Sequence, residues 1–136
     1  MNAASVTVLP RRTPPSILVV ENDVRIRCLV SDELRAIDFK VLEASSPDEA
    51  LTVLDAMRID LVFLAIGPLG SRGGLDVVRL IRARRMPTRI ILASDGGAAL
   101  AGMDADELGL ILSKPYRAAQ VVEFVIRILS WPEAGT

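Results

Sequence analysis

Five short apolar runs alternate with longer segments of helical spacing, and this alternation constrains the fold more than any other feature. The runs fall at Ile17–Val20, Val41–Leu42, Leu61–Ile66, Ile90–Ala93 and Leu108–Leu112. The first, third and fourth are rich in β-branched or large aliphatic residues. Such runs lack the polar alternation of a half-exposed strand and suit parallel strands covered on both faces. Between them, Ile26, Leu29, Val30, Leu34 and Ile37 share one face of a first helix. Ser46-Pro47-Asp48-Glu49 opens a second: Ser46 caps, Pro47 is pre-shaped for the first turn, and Glu49 completes a capping box. Leu75, Val78 and Ile81 mark a third. Val121, Val125, Ile128 and Leu129 mark the last, stopped near Pro132. A fourth, alanine-rich helix between Gly97 and Glu107 has little to bury. Strands alternating with helices imply βαβ units and a parallel sheet. Right-handed crossovers restrict it to a single doubly wound α/β domain.

The 136 residues suffice for one such domain with a real core. Residues 1–15 contain Pro10, Pro14 and Pro15 and read as a flexible N-terminal tail. The domain is expected over 16–130, with a short C-terminal tail at 131–136. No output domain is expected beyond the last helix. The net charge of −1 gives no general attraction to nucleic acid or membrane, so neither is expected as a partner. No apolar stretch is long enough to span a bilayer, and the start lacks the pattern of a signal peptide. The single Cys28 rules out an intramolecular disulfide, fits a reducing compartment and reads as a small core residue. A cytoplasmic protein is expected. Histidine is absent, which removes histidine-based catalysis and metal ligation by this chain.

In a doubly wound sheet, ligands bind beyond the carboxyl ends of the strands. The residues there are Glu21-Asn22-Asp23, Ala65-Ile66-Gly67, Ser94-Asp95 and Lys114-Pro115. Over about residues 16–130 the chain resembles the receiver domain of two-component response regulators. Ile17-Leu18-Val19-Val20-Glu21-Asn22-Asp23 is similar to that family's first strand and acidic pair. Asp60-Leu61-Val62-Phe63-Leu64-Ala65 is similar to its third strand, which ends in the phosphorylated aspartate. Pro68 and Gly74-Leu75-Asp76 resemble the loop and helix entry that follow. Ile90-Ile91-Leu92-Ala93-Ser94 resembles the strand ending in a hydroxyl, and Ser113-Lys114-Pro115-Tyr116 the Lys-Pro-aromatic signature. The resemblance implies a flavodoxin-like (βα)5 fold with strand order 2-1-3-4-5 and a cis Lys114–Pro115 bond. It also implies a pocket in which an aspartate attacks phosphorus while Mg²⁺, a lysine and a hydroxyl hold the phosphoryl oxygens.

Three positions depart from that pattern. Ala65 stands at the phosphoacceptor position, and a methyl group cannot attack phosphorus. Asn22 replaces an acid that the family uses to hold metal. Ile111 occupies the place of the switch aromatic. Glu21, Ser94, Lys114 and Pro115 are retained. The pocket is thus expected to consist of Glu21, Asn22, Ala65, Ser94, Lys114 and Pro115, with no catalytic residue. Mg²⁺ binding is expected to be weak or absent, with Glu21, Asn22 and Gly67 as candidate ligands and no other cofactor. With position 65 uncharged, Lys114 is expected to pair with Glu21.

Ser94 has two open readings, pocket hydroxyl and turn cap. The arginines at 79, 82, 84, 85 and 89 read as a solvated face. Asp60 starts the third strand, roughly 15 Å or more from its carboxyl end. Asp23 falls at the start of the first helix. Asp95 and Glu21 are the nearest candidates to replace the missing acceptor, but phosphoryl transfer tolerates little misplacement.

The expected function is that of a stand-alone receiver-like module in a phosphorelay, acting through phosphorylation-independent protein contacts. Its partners would be a histidine kinase, another regulator, or a second copy through the fourth helix, fifth strand and fifth helix. The alternative is a phosphorylatable receiver whose acceptor is replaced by Ala65 or rescued by another carboxylate; Asn22 and Ile111 argue against a single deliberate replacement. An enzyme or nucleotide-binding domain is disfavoured, because no Gly-Lys-Ser/Thr phosphate loop follows Gly73-Gly74 or Gly96-Gly97.

Overall fold

The computed structural model describes residues 13–67, 72–95 and 109–131. The strands β1 (Ser16–Val20), β2 (Lys40–Ala44), β3 (Leu61–Ala65), β4 (Arg89–Ser94) and β5 (Leu110–Ser113) form one sheet in the order β2-β1-β3-β4-β5. All four pairings are parallel. The helices are α1 (Val24–Ala36), α2 (Pro47–Ala56), α3 (Arg72–Ala83) and, after β5, α4 (Ala118–Leu129). The predicted α/β fold and strand order are those observed. The predicted helix at 97–107, most of the N-terminal tail and Pro68 lie outside the described residues.

The strands are buried on both faces, as their unbroken apolar runs require. Leu18, Val20, Val62, Leu64, Ile90 and Leu92 pack on one side with Ala50 and Leu54 of α2 and Val77, Val78 and Ile81 of α3. Ile17, Val19, Leu61, Phe63, Ile91 and Ala93 pack on the other with Val30 and Leu34 of α1 and Val121 and Val125 of α4. Alternate residues of each strand serve opposite layers, the period-two consequence of a pleated backbone. At the amino ends, the Ser16 N–H and hydroxyl both donate to Asp60 Oδ2, at 2.8 and 3.1 Å. Asp60 therefore ties β1 to the start of β3, far from the strands' carboxyl ends.

Three local expectations need correction. The apolar face of α1 is narrower than five residues: Val30 and Leu34 are buried and Ile37 packs at the edge, but Ile26 and Leu29 are exposed. Cys28 is exposed rather than in the core. It sits two residues before Val30, about 200° around the helix, and so faces away from the sheet. At α2, Ser46 Oγ accepts from the Glu49 N–H at 3.2 Å, as a cap should. The Glu49 carboxylate, however, accepts from the Ser45 N–H and hydroxyl rather than from Ser46, so the capping box closes one residue earlier. The arginine face is solvated as expected, with ion pairs from Arg79 to Asp76 and from Arg84 to Asp55.

Candidate functional site

The register sets the carboxyl ends of the strands level. Val20 lies opposite both Ala44 and Leu64, Ala65 opposite Ala93, and Ser94 opposite Ser113. Glu21, Ala65, Ser94 and Lys114 are thereby gathered at one end of the sheet. Ser94 is buried, and its carbonyl accepts from the Lys114 N–H at 3.0 Å. The Ile66 N–H donates to the Ala93 carbonyl at 2.9 Å, carrying the β3–β4 pairing one residue past Ala65. The Lys114–Pro115 bond is cis. Ile111 is 42% exposed on β5, the strand at the sheet's edge.

The expected Lys114–Glu21 ion pair is not formed. The Lys114 ammonium donates to the Ile66 carbonyl at 2.7 Å. This bond holds the chain leaving β3 against the chain leaving β5. Glu21 finds other partners. Its Oε2 accepts from the Asp23 N–H and its Oε1 from the Tyr116 hydroxyl, both at 3.0 Å. Arg27 donates to the Glu21 carbonyl at 2.9 Å. The Tyr116 ring meets Phe63 edge-on, with centroids 5.3 Å apart and planes at 77°. Burial, reinforced by the Glu21 charge, pushes the Tyr116 hydroxyl well above the usual tyrosine range. It therefore remains a donor at neutral pH. Tyr116 was legible only as the aromatic after Lys-Pro; the partner of its hydroxyl had no signal in the spacing.

A cavity of about 260 Å³ opens beside Ala65. Val20, Asn22, Ser45, Ser46, Pro47 and Gly67 complete its described lining, which carries no charged side chain. Ser46 had been legible only as a helix cap, and Ser45 had no signal in the sequence. They reach the cavity because α2 begins directly after β2. Two other described carboxylates lie near the site. Asp23 Oδ1 caps α1, accepting from the Arg25 N–H at 2.9 Å. Asp95 is exposed just past β4.

Magnesium takes near-octahedral oxygen donors, including one or two carboxylates. Among the described residues, no three acidic, histidine or cysteine side chains gather at one point. Of the predicted ligands, Glu21 is already hydrogen-bonded through both oxygens, Asn22 is neutral and exposed, and Gly67 offers only a carbonyl. This donor set does not fit a resident Mg²⁺.

Comparison with known proteins agrees with the fold. The chain is 30% identical over 114 residues to the regulatory protein VirG of Agrobacterium tumefaciens, matching 82% of this chain and 41% of VirG. It therefore spans about two-fifths of that relative's length. A response regulator from Thermotoga maritima superposes with a TM-score of 0.69 at 26% identity, covering 86% of this chain and 98% of that one. The signal receiver domain of an HD-domain-containing protein from Pseudomonas fluorescens shares the fold, with a TM-score of 0.72 at 22% identity and coverage of 86% and 95%. No described helix is long and apolar enough to cross a membrane. The response regulator receiver domain model matches residues 17–126, nearly the whole described fold, and the chain belongs to that family of two-component signalling domains.

Proposed function

We propose that this chain is a receiver domain that signals without phosphotransfer, as a protein-binding module in a two-component pathway. The observation that carries this reading is the end of β3. Ala65 stands at the head of a cavity whose described lining is uncharged, with Ala93 as its neighbour in register. A methyl group there supplies neither a nucleophile nor a metal ligand, and phosphoryl transfer depends on both. Glu21 and Asp23 are committed to hydrogen bonds of their own, Asp60 lies at the opposite end of β3, and Asp95 is exposed past β4.

Binding would use the face around β5 and α4, where Ile111 leaves an apolar side chain at the sheet's edge. The partner would be a histidine kinase, another regulator, or a second copy of this chain. The test is to restore the missing groups. Ala65→Asp alone, with Asn22 unchanged, is expected to react slowly with a small phosphodonor and Mg²⁺. Ala65→Asp combined with Asn22→Asp is expected to gain a phosphoryl group readily, as read by intact mass. If the double variant stays inert while folded, the strand-end cavity is not a converted phosphorylation pocket and the reading fails.

A further inference from the structure

Glu21 is a buried residue, 8% exposed, yet no described cation lies within ion-pair distance of its carboxylate. A buried, unpaired carboxylate is costly unless hydrogen bonds compensate it. Two do so here. One is local, from the Asp23 N–H. The other comes from Tyr116, 95 residues away in sequence. Arg27 lies nearby but spends its guanidinium on the Glu21 carbonyl and on Glu43, 3.2 Å away. Lys114 is turned to the Ile66 carbonyl. The tyrosine hydroxyl is therefore the long-range group that answers the Glu21 charge.

We propose that the Tyr116–Glu21 hydrogen bond does in this chain what a cation would otherwise do: it ties the carboxyl end of β1 to the segment after β5 and shields Glu21 from divalent ions. The geometry favours a built tie over an incidental contact. Tyr116 is held from behind by its edge contact with Phe63 in the core. Its approach to Glu21 spans the sheet across β3 and β4, the strands that separate β1 from β5. A phenylalanine at 116 would keep the packing and lose the tie, leaving one Glu21 oxygen free. Ala65 and Asn22 add no charge that would draw a cation in, so the tie meets little competition. This goes beyond the proposed loss of phosphotransfer and rests on it only in taking Glu21 as the acid left at the site.

Thermal unfolding of the parent, Tyr116→Phe and Tyr116→Phe/Glu21→Gln tests it, each in Mg²⁺ and in potassium salt of matched ionic strength. Circular dichroism checks that all three fold. The parent is expected to melt at the same temperature in both salts. Tyr116→Phe is expected to melt roughly 4–8 °C lower, the scale of one lost charge-assisted hydrogen bond, and to be stabilised by Mg²⁺. The double variant is expected to lose that response, because it acts through the freed carboxylate. Specific stabilisation of the parent by Mg²⁺ would overturn the proposal. So would a Tyr116→Phe variant that melts with the parent or ignores Mg²⁺. Failure of the proposed function would show separately, as phosphorylation of the parent, whatever these melting curves do.

Discussion

Ser31 sits fully buried in α1, and its hydroxyl is the described buried side-chain group that lacks a hydrogen-bond partner. An unpaired buried hydroxyl costs free energy, and alanine is the better helix former. Ser31→Ala is therefore expected to stabilise the fold by about 1 kcal/mol, read as a higher urea midpoint with unchanged slope. Tyr116 offers a second residue-level test. Its ordinary value is 10.0, and burial with the Glu21 charge raises it in the folded state. The stability contributed by the neutral hydroxyl is complete below pH 10 and is lost as pH climbs through the raised folded value. As the chain has a single tyrosine, tyrosinate absorbance reads this group alone. Native protein should ionise at higher pH than protein in urea; coincident curves would contradict the burial. At this scale the sequence was legible where position in a strand determines neighbours. Ala65, Ser94 and Lys114 lie where strand ends must put them. It was not legible where a long side chain chooses among several acceptors. Lys114 takes a backbone carbonyl, and Glu21 takes a hydroxyl.

The elements were readable from pattern, with errors where tertiary packing decides. β2 was signalled by two apolar residues, Val41 and Leu42, yet runs from Lys40 to Ala44. It is an edge strand paired only with β1, so Lys40 can face solvent and Glu43 can pair with Arg27 and Arg35 of α1 without breaking the ladder. Exposure of Ile26 and Leu29 on α1 has the same kind of cause, since a helical period cannot say how wide a stripe its neighbours will cover. Two elements give predictions. At the start of α2, the hydrogen bonds from Ser45 hold the Glu49 carboxyl below its ordinary 4.5. Its contribution is present above that ordinary value and is lost as pH falls through the depressed folded value. Glu49→Gln should therefore lower the urea midpoint at neutral pH and have little effect once the parent's Glu49 is protonated. At the start of β5, Gly109 has φ +78°, and a Cβ there would lie 2.5 Å from the Ile90 carbonyl oxygen. The contact is with backbone, so it cannot be relieved by a side-chain turn. Gly109→Ala is expected to destabilise by about 1–3 kcal/mol, seen as a lower melting temperature; an unchanged one would contradict the close approach of β5 to β4.

For the molecule as a whole, alternation of strands and helices was enough to give the doubly wound sheet, and the sheet fixes which end carries the site. What the alternation could not supply was the site's internal wiring, because strand ends assemble residues from four separate segments. In the assembled domain the polar groups hold one another: Lys114 joins the ends of β3 and β5, and Tyr116 joins the end of β5 to Glu21 after β1. The cavity beside Ala65 is left without a charged described side chain. A domain wired this way would present one surface to its partners irrespective of phosphodonor. The most direct measurement is the intact mass of the parent protein after incubation with a small-molecule phosphodonor and Mg²⁺. An unchanged mass is expected. A phosphorylated species that hydroxylamine removes would show an acyl phosphate on another carboxylate and would contradict it.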